Sequence, residues 1–182
     1  MRLNQPQNRV MTMWTNYFSK MKGVGQNPFT VYSKDIIVTF TGTFLTIAGL
    51  IYLTQHLHSQ WIMASLGGSC ALAFGLWQAP VSQPRSIIAG HALSSMIALV
   101  MYHLAGNGAV IIGLAVALAV SVMMLTRTMH PPAAANPLVI MFEGSHHWEF
   151  LLFPVLTGAL FVVVMALLIN NLRQTRKYPT YW

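Results

Sequence analysis

The stretch RTMHPPAAANPLVIMF, residues 127–142, decides how this chain can fold. It holds three prolines within seven residues, and each proline removes a backbone donor and clashes with the preceding turn, so the stretch cannot be one regular helix. The segment 130–142 is apolar, yet as a straight helix its ~13 residues would reach only about 20 Å, less than the hydrocarbon layer of a bilayer. Its role therefore depends on the segments around it.

The composition is that of an integral membrane protein. Of the 182 residues, 55% are hydrophobic and only 7% are charged, whereas an ordinary soluble domain carries about 25% charged residues. Such a chain cannot cover a globular surface in water, which excludes a soluble enzyme and a disordered tail. A disulfide-stapled module is excluded as well, because Cys70 is the only cysteine.

Five other windows are long and apolar enough to cross a bilayer, which takes about 20 residues per helix. They lack Lys, Arg, Asp and Glu, and they are 36–55, 61–79, 87–105, 109–126 and 150–172. The linkers between the first four are short, so consecutive helices must run antiparallel. The predicted fold class is an all-α membrane protein, a polytopic bundle of five long transmembrane helices plus the short proline-broken segment 130–142.

The basic residues predict the orientation. Five crossings would place the two basic ends of the chain on opposite sides, against the positive-inside rule. If 130–142 crosses partly extended, all ten Lys and Arg fall on the cytoplasmic side together with both termini. The outer loops 56–60, 106–108 and 143–149 then carry no Lys or Arg. The alternative is a re-entrant hairpin with an outside C-terminus.

The sequence predicts three regions: a basic cytoplasmic segment 1–34, a transmembrane domain 36–172 and a basic cytoplasmic tail 173–182. The first region is not typical of a signal peptide, because no apolar core precedes a cleavage site. It indicates either an unstructured tail or a short helix on the anionic inner leaflet. The helix is suggested by apolar residues at helical spacing, namely Val10, Trp14, Tyr17, Phe18 and Met21.

The spacing of the segments also predicts two halves, residues 36–105 and 109–172, with three segments each. An odd number per half would invert the second half relative to the first, giving a 3+3 inverted repeat, in which paired interrupted segments point to a transport site. The two proline breaks, 78–85 and 127–137, do not occupy matching positions in the halves.

Polar residues gather at these two breaks. Arg85 lies in the first break and His91 follows it, and Arg127 and His130 lie in the second. An ionisable residue in or near a membrane segment indicates a functional site, whereas arginines that only extend to the headgroups would merely fix orientation. Two Arg and two His without a neighbouring carboxylate favour an anion as ligand.

Two blocks of the chain resemble a known family. The run TRTMHPPAAANPL, residues 126–138, is similar to the His-Pro-Pro signature of the HPP family of membrane proteins. The run SLGGSCALAFGLWQAPVSQPRSIIAGHALSS, residues 65–95, is similar to its other characteristic block. The chain has Ser86 where the family often has Asn, and Ala134 where it often has Gly. Alanine limits the backbone there to ordinary φ and ψ angles.

The resemblance implies a small integral membrane protein related to proteins associated with nitrite transport in plant chloroplasts and cyanobacteria. Because the chain shows no transit peptide, it also implies a relative in the bacterial inner membrane. The motif residues carried over from the family are Gln83, Pro84, Arg85, Gly90, His91, Arg127, His130, Pro131 and Pro132.

Nitrite only accepts hydrogen bonds, so a site for it needs donors. Such donors are available from Gln83, Arg85, His91, Arg127, His130 and Asn136. The backbone of Gly67, Gly68 and Ser69 would line the pathway, and arginines at its mouth would concentrate the anion without trapping it. Since the spans lack carboxylates, we expect a channel-like facilitator, with proton-linked transport through His91 or His130 as the alternative.

Functions of other classes are also compatible with parts of the sequence. A non-transporting scaffold or sensor subunit is one alternative. A metal-ion transporter is another, with His56 and His58 or the loop 143–149 as ligands. We expect no enzyme activity, since no carboxylate pair or phosphate-binding glycine motif occurs, and no resident cofactor or metal. The expected partners are a small inorganic anion, the bilayer and further copies of the chain, but not nucleic acid.

Overall fold

A computed structural model describes residues 6–23, 25–27, 30–57 and 61–182 of the chain. These residues form two units, Met1–Val31 and Tyr32–Trp182. Within the described ranges all regular structure is helical, and no strand occurs. The predicted all-α class is therefore confirmed.

The first unit contains helix α1, Pro6–Lys20. Its side chains Trp14, Tyr17 and Phe18 are 56%, 53% and 57% exposed, and their rings lie within about 6 Å of one another along the helix. A helix thus forms where the apolar spacing predicts one. The predicted role of the Val10 side chain lies outside the described residues, and contact with a leaflet remains a prediction.

The second unit contains six α-helices: α2 (Ser33–His56), α3 (Ala64–Cys70), α4 (Pro84–Ala105), α5 (Ala109–Leu125), α6 (Asn136–Phe142) and α7 (Thr157–Asn171). A π-helical stretch, Ala71–Gly75, extends α3, and another, Leu151–Leu156, leads into α7. Two 3-10 turns, Pro80–Ser82 and Pro131–Ala135, coincide with the predicted proline breaks.

The expectation of five long transmembrane helices is confirmed only in part. Among the described residues, three helices are long and apolar enough to span, namely Ser33–His56, Pro84–Ala105 and Leu151–Asn171. Two further apolar helices, Ala64–Gly75 and Ala109–Leu125, are shorter. The window 61–79 is not helical throughout because the chain leaves the helix at Leu76 (φ −120°, ψ 42°). The inverted repeat remains a prediction.

Helix α4 occupies the centre of the second unit, where it packs against α5, α6 and α7. Close helix contacts depend on glycine, as they do in membrane bundles generally. A Cβ on Gly42 would overlap the Phe74 ring, and a Cβ on Gly158 would overlap Leu66. These contacts bring α2 and α7 directly against α3 and its π-helical extension.

Several chain segments meet at one end of the second unit. Asp35, near the start of α2, binds Arg173 and Arg176 of the tail. Arg176 also donates to the carbonyl of Phe74 at 3.0 Å, and Arg85 donates to the carbonyl of Thr126 at 3.2 Å. We call this the basic end, since it gathers Lys34, Arg85, Arg127, Arg173, Arg176 and Lys177.

Residues 127–142, which we call the proline-rich segment, run alongside α4 from one end to the other, and Thr126 and His146 flank this segment. Near the start of α4, Arg85 contacts the Thr126 carbonyl. In the middle, Asn136 contacts His91, and near the end His103 Nε2 lies 3.2 Å from the carbonyl of His146. The backbone is extended at His130 (φ −139°, ψ 96°). These contacts place residues 127–146 along the length of α4, whereas a bilayer crossing by 130–142 remains a prediction.

Candidate functional site

A buried polar cluster lies where α3, α4 and the proline-rich segment meet. Its central members are Ser69, His91, His130 and Asn136, all four fully buried. We call this group the His–Ser–His cluster. It joins three segments that are far apart in sequence, so the fold rather than local structure creates it.

Helical spacing places pairs of polar residues on the faces that form the cluster. Ser65 and Ser69 are one turn apart on α3, and His91 and Ser95 are one turn apart on α4. The third segment supplies His130 and Asn136. Each polar pair therefore faces the other segments rather than lipid.

Two glycines let these segments approach. A Cβ on Gly90 would lie 2.8 Å from the Cβ of His130 and 3.1 Å from the carbonyl of Thr128. A Cβ on Gly68 would lie 3.1 Å from the Cβ of Pro132. All three distances are too short for ordinary packing, so larger residues would push His130 away from α4 or Pro132 away from α3.

The serine hydroxyl bridges the two imidazoles. Ser69 Oγ lies 2.8 Å from His91 Nε2 and 2.8 Å from His130 Nε2, and the two ring centroids are 5.1 Å apart. The other ring nitrogens point to fixed partners. His130 Nδ1 lies 2.7 Å from the carbonyl of Val81, and His91 Nδ1 lies 3.0 Å from Asn136 Nδ2.

The orientation of Asn136 is fixed by two serines. Ser65 Oγ donates to Asn136 Oδ1 at 2.8 Å, and Asn136 Nδ2 donates to Ser95 Oγ at 2.9 Å. The amide nitrogen therefore faces His91 Nδ1 as a donor. Neutral His91 must then carry its proton on Nε2 and donate it to Ser69 Oγ.

The other end of the network fixes the second imidazole. A backbone carbonyl only accepts hydrogen bonds, so His130 Nδ1 carries the proton that it shares with Val81. Neutral His130 then accepts at Nε2 from the Ser69 hydroxyl. The assignment gives one direction throughout, from Asn136 through His91, Ser69 and His130 to Val81. Buried polar groups are stable only when paired in this way.

Arg85 and Arg127 do not join the cluster. Both side chains are exposed at the basic end, and Arg127 has a left-handed backbone (φ 56°). The sequence places these arginines beside the two histidines, whereas the fold buries the histidines and leaves the arginines at the surface. Six residues of helix, about 9 Å, separate Arg85 from His91 along α4.

Gln83 lies outside the cluster as well. Its Nε2 donates to the carbonyls of Trp77 and Ala79 at 2.9 and 3.1 Å, and its Oε1 accepts from the amide of Thr180 at 2.8 Å. These contacts brace the first proline break against the tail. Gln83 therefore has no donor directed towards the histidines.

The remaining predicted residues have structural positions around the cluster. Pro84 begins α4, and Pro131 and Pro132 begin the second 3-10 turn. Gly67 faces open space, since a Cβ there would meet nothing within 4 Å. The residues in which the chain departs from the family lie nearby: Ser86 Oγ donates to the carbonyl of Pro80 at 3.0 Å, and Ala134 lies in the second 3-10 turn.

The sequence-based prediction missed part of the site. It treated Ser69 as bare backbone, although its hydroxyl is the bridge between the histidines. It also missed Ser65 and Ser95, which orient Asn136. The spacing of four residues from Ser65 to Ser69 and from His91 to Ser95 was the available signal. The role of the Val81 carbonyl could not be predicted in this way, because it is a backbone group and does not depend on the residue type.

Aromatic stacking links the loop 143–149 to α4. His146 stacks on Tyr102 at 3.5 Å, and His103 stacks on Trp148 at 5.4 Å between ring centroids. In the part of the chain that the structure describes, no three His, Cys, Asp or Glu side chains lie together as metal ligands. His58 of the other candidate pair lies outside that part.

Comparison with known proteins agrees with the fold and the motifs. Residues 28–179 match the protein family described as the HPP transmembrane region. Two transmembrane proteins of Dictyostelium discoideum are similar: one is 32% identical over 181 residues, covering 91% of this chain and 63% of that protein. The other is 30% identical over 184 residues, covering 95% of this chain and 59% of that protein.

The chain thus spans about three-fifths of the length of these relatives. No solved structure matches it. The family match covers both proline breaks and all members of the His–Ser–His cluster. The chain belongs to the HPP family of transmembrane proteins.

Proposed function

We propose that this protein carries a small inorganic anion across the membrane, as a transporter or channel-like facilitator, with nitrite as the substrate. The observation that carries the proposal is the fully buried His–Ser–His cluster. Polar and ionisable side chains inside a membrane protein are costly and mark ion or substrate pathways. Nitrite is the substrate implied by the resemblance to the HPP family.

The charge distribution supports an anion. Arg85 and Arg127 are exposed at the basic end, beside the two proline breaks. Such a surface raises the local concentration of anions. The cluster itself carries no carboxylate, and two imidazole Nε2 atoms converge on one point, Ser69 Oγ. An acceptor-only anion could use both as donors once His130 Nε2 also carries a proton.

The irregular backbone around the cluster supports movement. The π-helical stretch Ala71–Gly75 begins two residues after Ser69, and a 3-10 turn begins directly after His130. Such stretches occur often at functional sites, because their hydrogen bonds rearrange more readily than those of an α-helix. In the conformation described here the cluster is closed, so passage requires Ser69 to give up its contacts with the histidines.

For topology, we propose six crossings in which 130–142 is the fifth, with both termini and the basic end in the cytoplasm. The positive-inside rule supports this arrangement, as does the course of the proline-rich segment along α4. The bacterial inner membrane is the proposed location. Self-association into a homo-oligomer, and a transport rather than an enzymatic role, complete the proposal.

The decisive experiment is nitrite influx into liposomes that contain the purified protein. We expect influx above that of protein-free vesicles, and a loss of at least about fivefold in His130→Ala, since an unpaired buried polar group costs about 1–3 kcal/mol and about 1.4 kcal/mol is tenfold. Arg127→Gln should reduce influx severalfold at low salt. Lys177→Gln is the matched control, because it removes one exposed charge at the same end but lies in the tail.

One alternative function has an observation in its favour. All ring nitrogens of the cluster are paired within the protein, which also suits a membrane scaffold or sensor subunit that moves nothing. Vesicles with folded protein but no influx above the protein-free level would favour that alternative. Influx that is unchanged in both His130→Ala and Arg127→Gln would remove these residues from the mechanism.

A further inference from the structure

We infer that the anion crosses together with one proton, which His130 takes up on Nε2, so that transport is electroneutral. The inference rests on the proposed function and adds the coupling ion to it. Its first basis is the number of hydrogen-bond donors that the His–Ser–His cluster can offer to an anion. Its second basis is the Ser69 hydroxyl, which has another acceptor within reach.

When both histidines are neutral, every hydrogen-bond donor along the bridge between them is already paired within the protein. His91 Nε2–H is directed to Ser69 Oγ, the Ser69 hydroxyl to His130 Nε2, and His130 Nδ1–H to the carbonyl of Val81. An anion that entered this state would find a lone pair on His130 Nε2. Because nitrite has no proton to donate, this contact would be repulsive.

One added proton removes the repulsion. The Ser69 hydroxyl has a second acceptor, the carbonyl of Ser65 at 3.2 Å. When the hydroxyl turns to that carbonyl, the lone pair of His130 Nε2 is free to bind a proton from solution. The imidazolium then donates through Nδ1 to Val81 and through Nε2 to Ser69 Oγ, without any other side chain moving.

His91 cannot take this role so readily. Its free nitrogen, Nδ1, faces the Asn136 amide as a donor. Turning that amide would break the contacts of Asn136 with both Ser65 and Ser95. Protonation of His91 would therefore disrupt the bonds that hold three segments together, whereas protonation of His130 costs one hydroxyl rotation.

After protonation, the Nε2–H groups of both histidines point at the position of Ser69 Oγ. An anion oxygen that replaced this hydroxyl would receive two hydrogen bonds at the 2.8 Å distances that the hydroxyl now has. The positive imidazolium would balance the negative anion, so the occupied cluster would be neutral. On release, the proton leaves Nε2 and the Ser69 hydroxyl returns to it.

No other charged group replaces the anion as a counter-charge. On α3, the titratable neighbour is Cys70. On α4 the titratable residues besides His91 are Arg85 near one end, which contacts Thr126, and Tyr102 and His103 near the other end, which contact His146. Helices α5, α6 and α7 have no titratable side chain, and the proline-rich segment adds only Arg127 at the basic end. A buried positive charge on His130 therefore needs the anion itself.

The test uses the full chain in liposomes and nitrite as the probe, with influx in protein-free vesicles subtracted, because neutral weak acids cross lipid unaided. One arm imposes a pH gradient, inside alkaline, with the potential clamped at zero. The other imposes a potential, inside positive, at equal pH. We expect the protein-dependent influx to follow the pH gradient, to ignore the potential, and to carry one proton per nitrite on an internal pH dye.

The outcomes distinguish the proton coupling from the anion transport on which it rests. Influx that follows the potential and ignores the pH gradient would overturn the proton coupling and leave the anion transport standing. Absence of protein-dependent influx in both arms would overturn the transport function, and the coupling with it. The wild-type chain is sufficient for both arms, so neither outcome depends on whether a variant folds.

Variants then locate the proton. His130→Gln keeps a donor and an acceptor but cannot be protonated, so its remaining influx should no longer respond to the pH gradient. Ser69→Ala should lower influx at least about fivefold, because both Nε2 atoms lose their partner. Ser121→Ala is the matched control: the Ser121 hydroxyl is exposed and donates to Ala117 of its own helix at 2.8 Å. If the pH gradient drove influx in His130→Gln at the wild-type level, the assignment of the proton to His130 would be contradicted.

Discussion

At the level of single residues, the cluster owes its geometry to a missing side chain as much as to those present. Gly90 leaves the space into which His130 and the Thr128 carbonyl fit. Without this contact His130 could not reach Ser69, because the proline-rich segment would stand further from α4. The same reasoning explains why a Gly-His pair on α4 and a His-Pro-Pro run belong to one site.

Gly90→Ala should therefore damage both stability and transport. The new Cβ would lie 2.8 Å from that of His130, and overpacking of this kind costs about 1–3 kcal/mol. We expect a lower unfolding temperature in detergent and a reduced nitrite influx. Gly113→Ala on α5 is the control, because a Cβ there meets nothing within 4 Å, and it should be neutral or slightly stabilising. Equal effects of the two substitutions would contradict this explanation.

The sequence identified three of the four central cluster residues but could not group them correctly. His91, His130 and Asn136 come together as donors and acceptors, whereas Arg85, Arg127 and Gln83 do not join them. The short separations in sequence from Arg85 to His91 and from Arg127 to His130 did not indicate which of these side chains would be buried. The arginines remain exposed because burying a permanent charge without a partner is very costly, while neutral imidazoles can be buried once both nitrogens are paired.

At the level of elements, the tail is hydrogen-bonded to the first 3-10 turn, and the same turn is hydrogen-bonded to His130. Three consecutive carbonyls of the first 3-10 turn accept hydrogen bonds from two segments, the tail and the proline-rich segment. Pro80 accepts from the Tyr181 hydroxyl at 3.2 Å, Val81 from His130 at 2.7 Å, and Ser82 from the Tyr178 hydroxyl at 2.8 Å. The tail thus fixes the direction of the carbonyl that sets the tautomer of His130.

This arrangement predicts a pH dependence of stability. Burial raises the pKa of the Tyr178 phenol, so the folded chain keeps the proton at a pH where the unfolded chain loses it. Below about pH 10, the ordinary tyrosine value, both states hold the proton and the contribution is complete. Above about pH 10 the unfolded state is stabilised by ionisation, so the stability of the fold decreases as the pH rises.

Unfolding in detergent between pH 8 and 11 should show this decrease in the wild type and a smaller one in Tyr178→Phe. That variant should also be less stable at neutral pH by about 1 kcal/mol, because the Ser82 carbonyl loses its donor. Tyr181→Phe is the control, since the Tyr181 side chain is 43% exposed. An identical alkaline decrease in wild type and Tyr178→Phe would show that Tyr178 is not its source.

Hydropathy found helices in all five windows, but their ends were set by contacts that hydropathy does not contain. In the window 61–79 the chain leaves the helix at Leu76, and the Gln83 side chain then pairs with the carbonyls of Trp77 and Ala79. A side chain from beyond the window thus satisfies backbone groups that a longer helix would have paired. The proline breaks, in contrast, follow directly from the sequence, because the ring removes a donor wherever it stands.

For the molecule as a whole, the basic end makes the topology testable. We expect single cysteines at positions 85, 127 and 177 to react with a membrane-impermeant thiol reagent from the cytoplasmic side, and one at 144 from the outer side. The native Cys70 is fully buried and gives the background. Labelling of positions 85 and 127 from opposite sides would contradict both the six-crossing topology and the closeness of Arg85 to Thr126.

The sequence by itself determined the membrane class, the helical windows, the two proline breaks and the family, because composition, hydropathy and proline chemistry act locally along the chain. Only the tertiary structure decided which polar residues form one network and which remain at the surface. A hydroxyl that bridges two imidazoles depends on three segments meeting within hydrogen-bond distance. That meeting is set by glycine contacts and by the course of residues 127–146 along α4, neither of which has a periodic signal in the sequence.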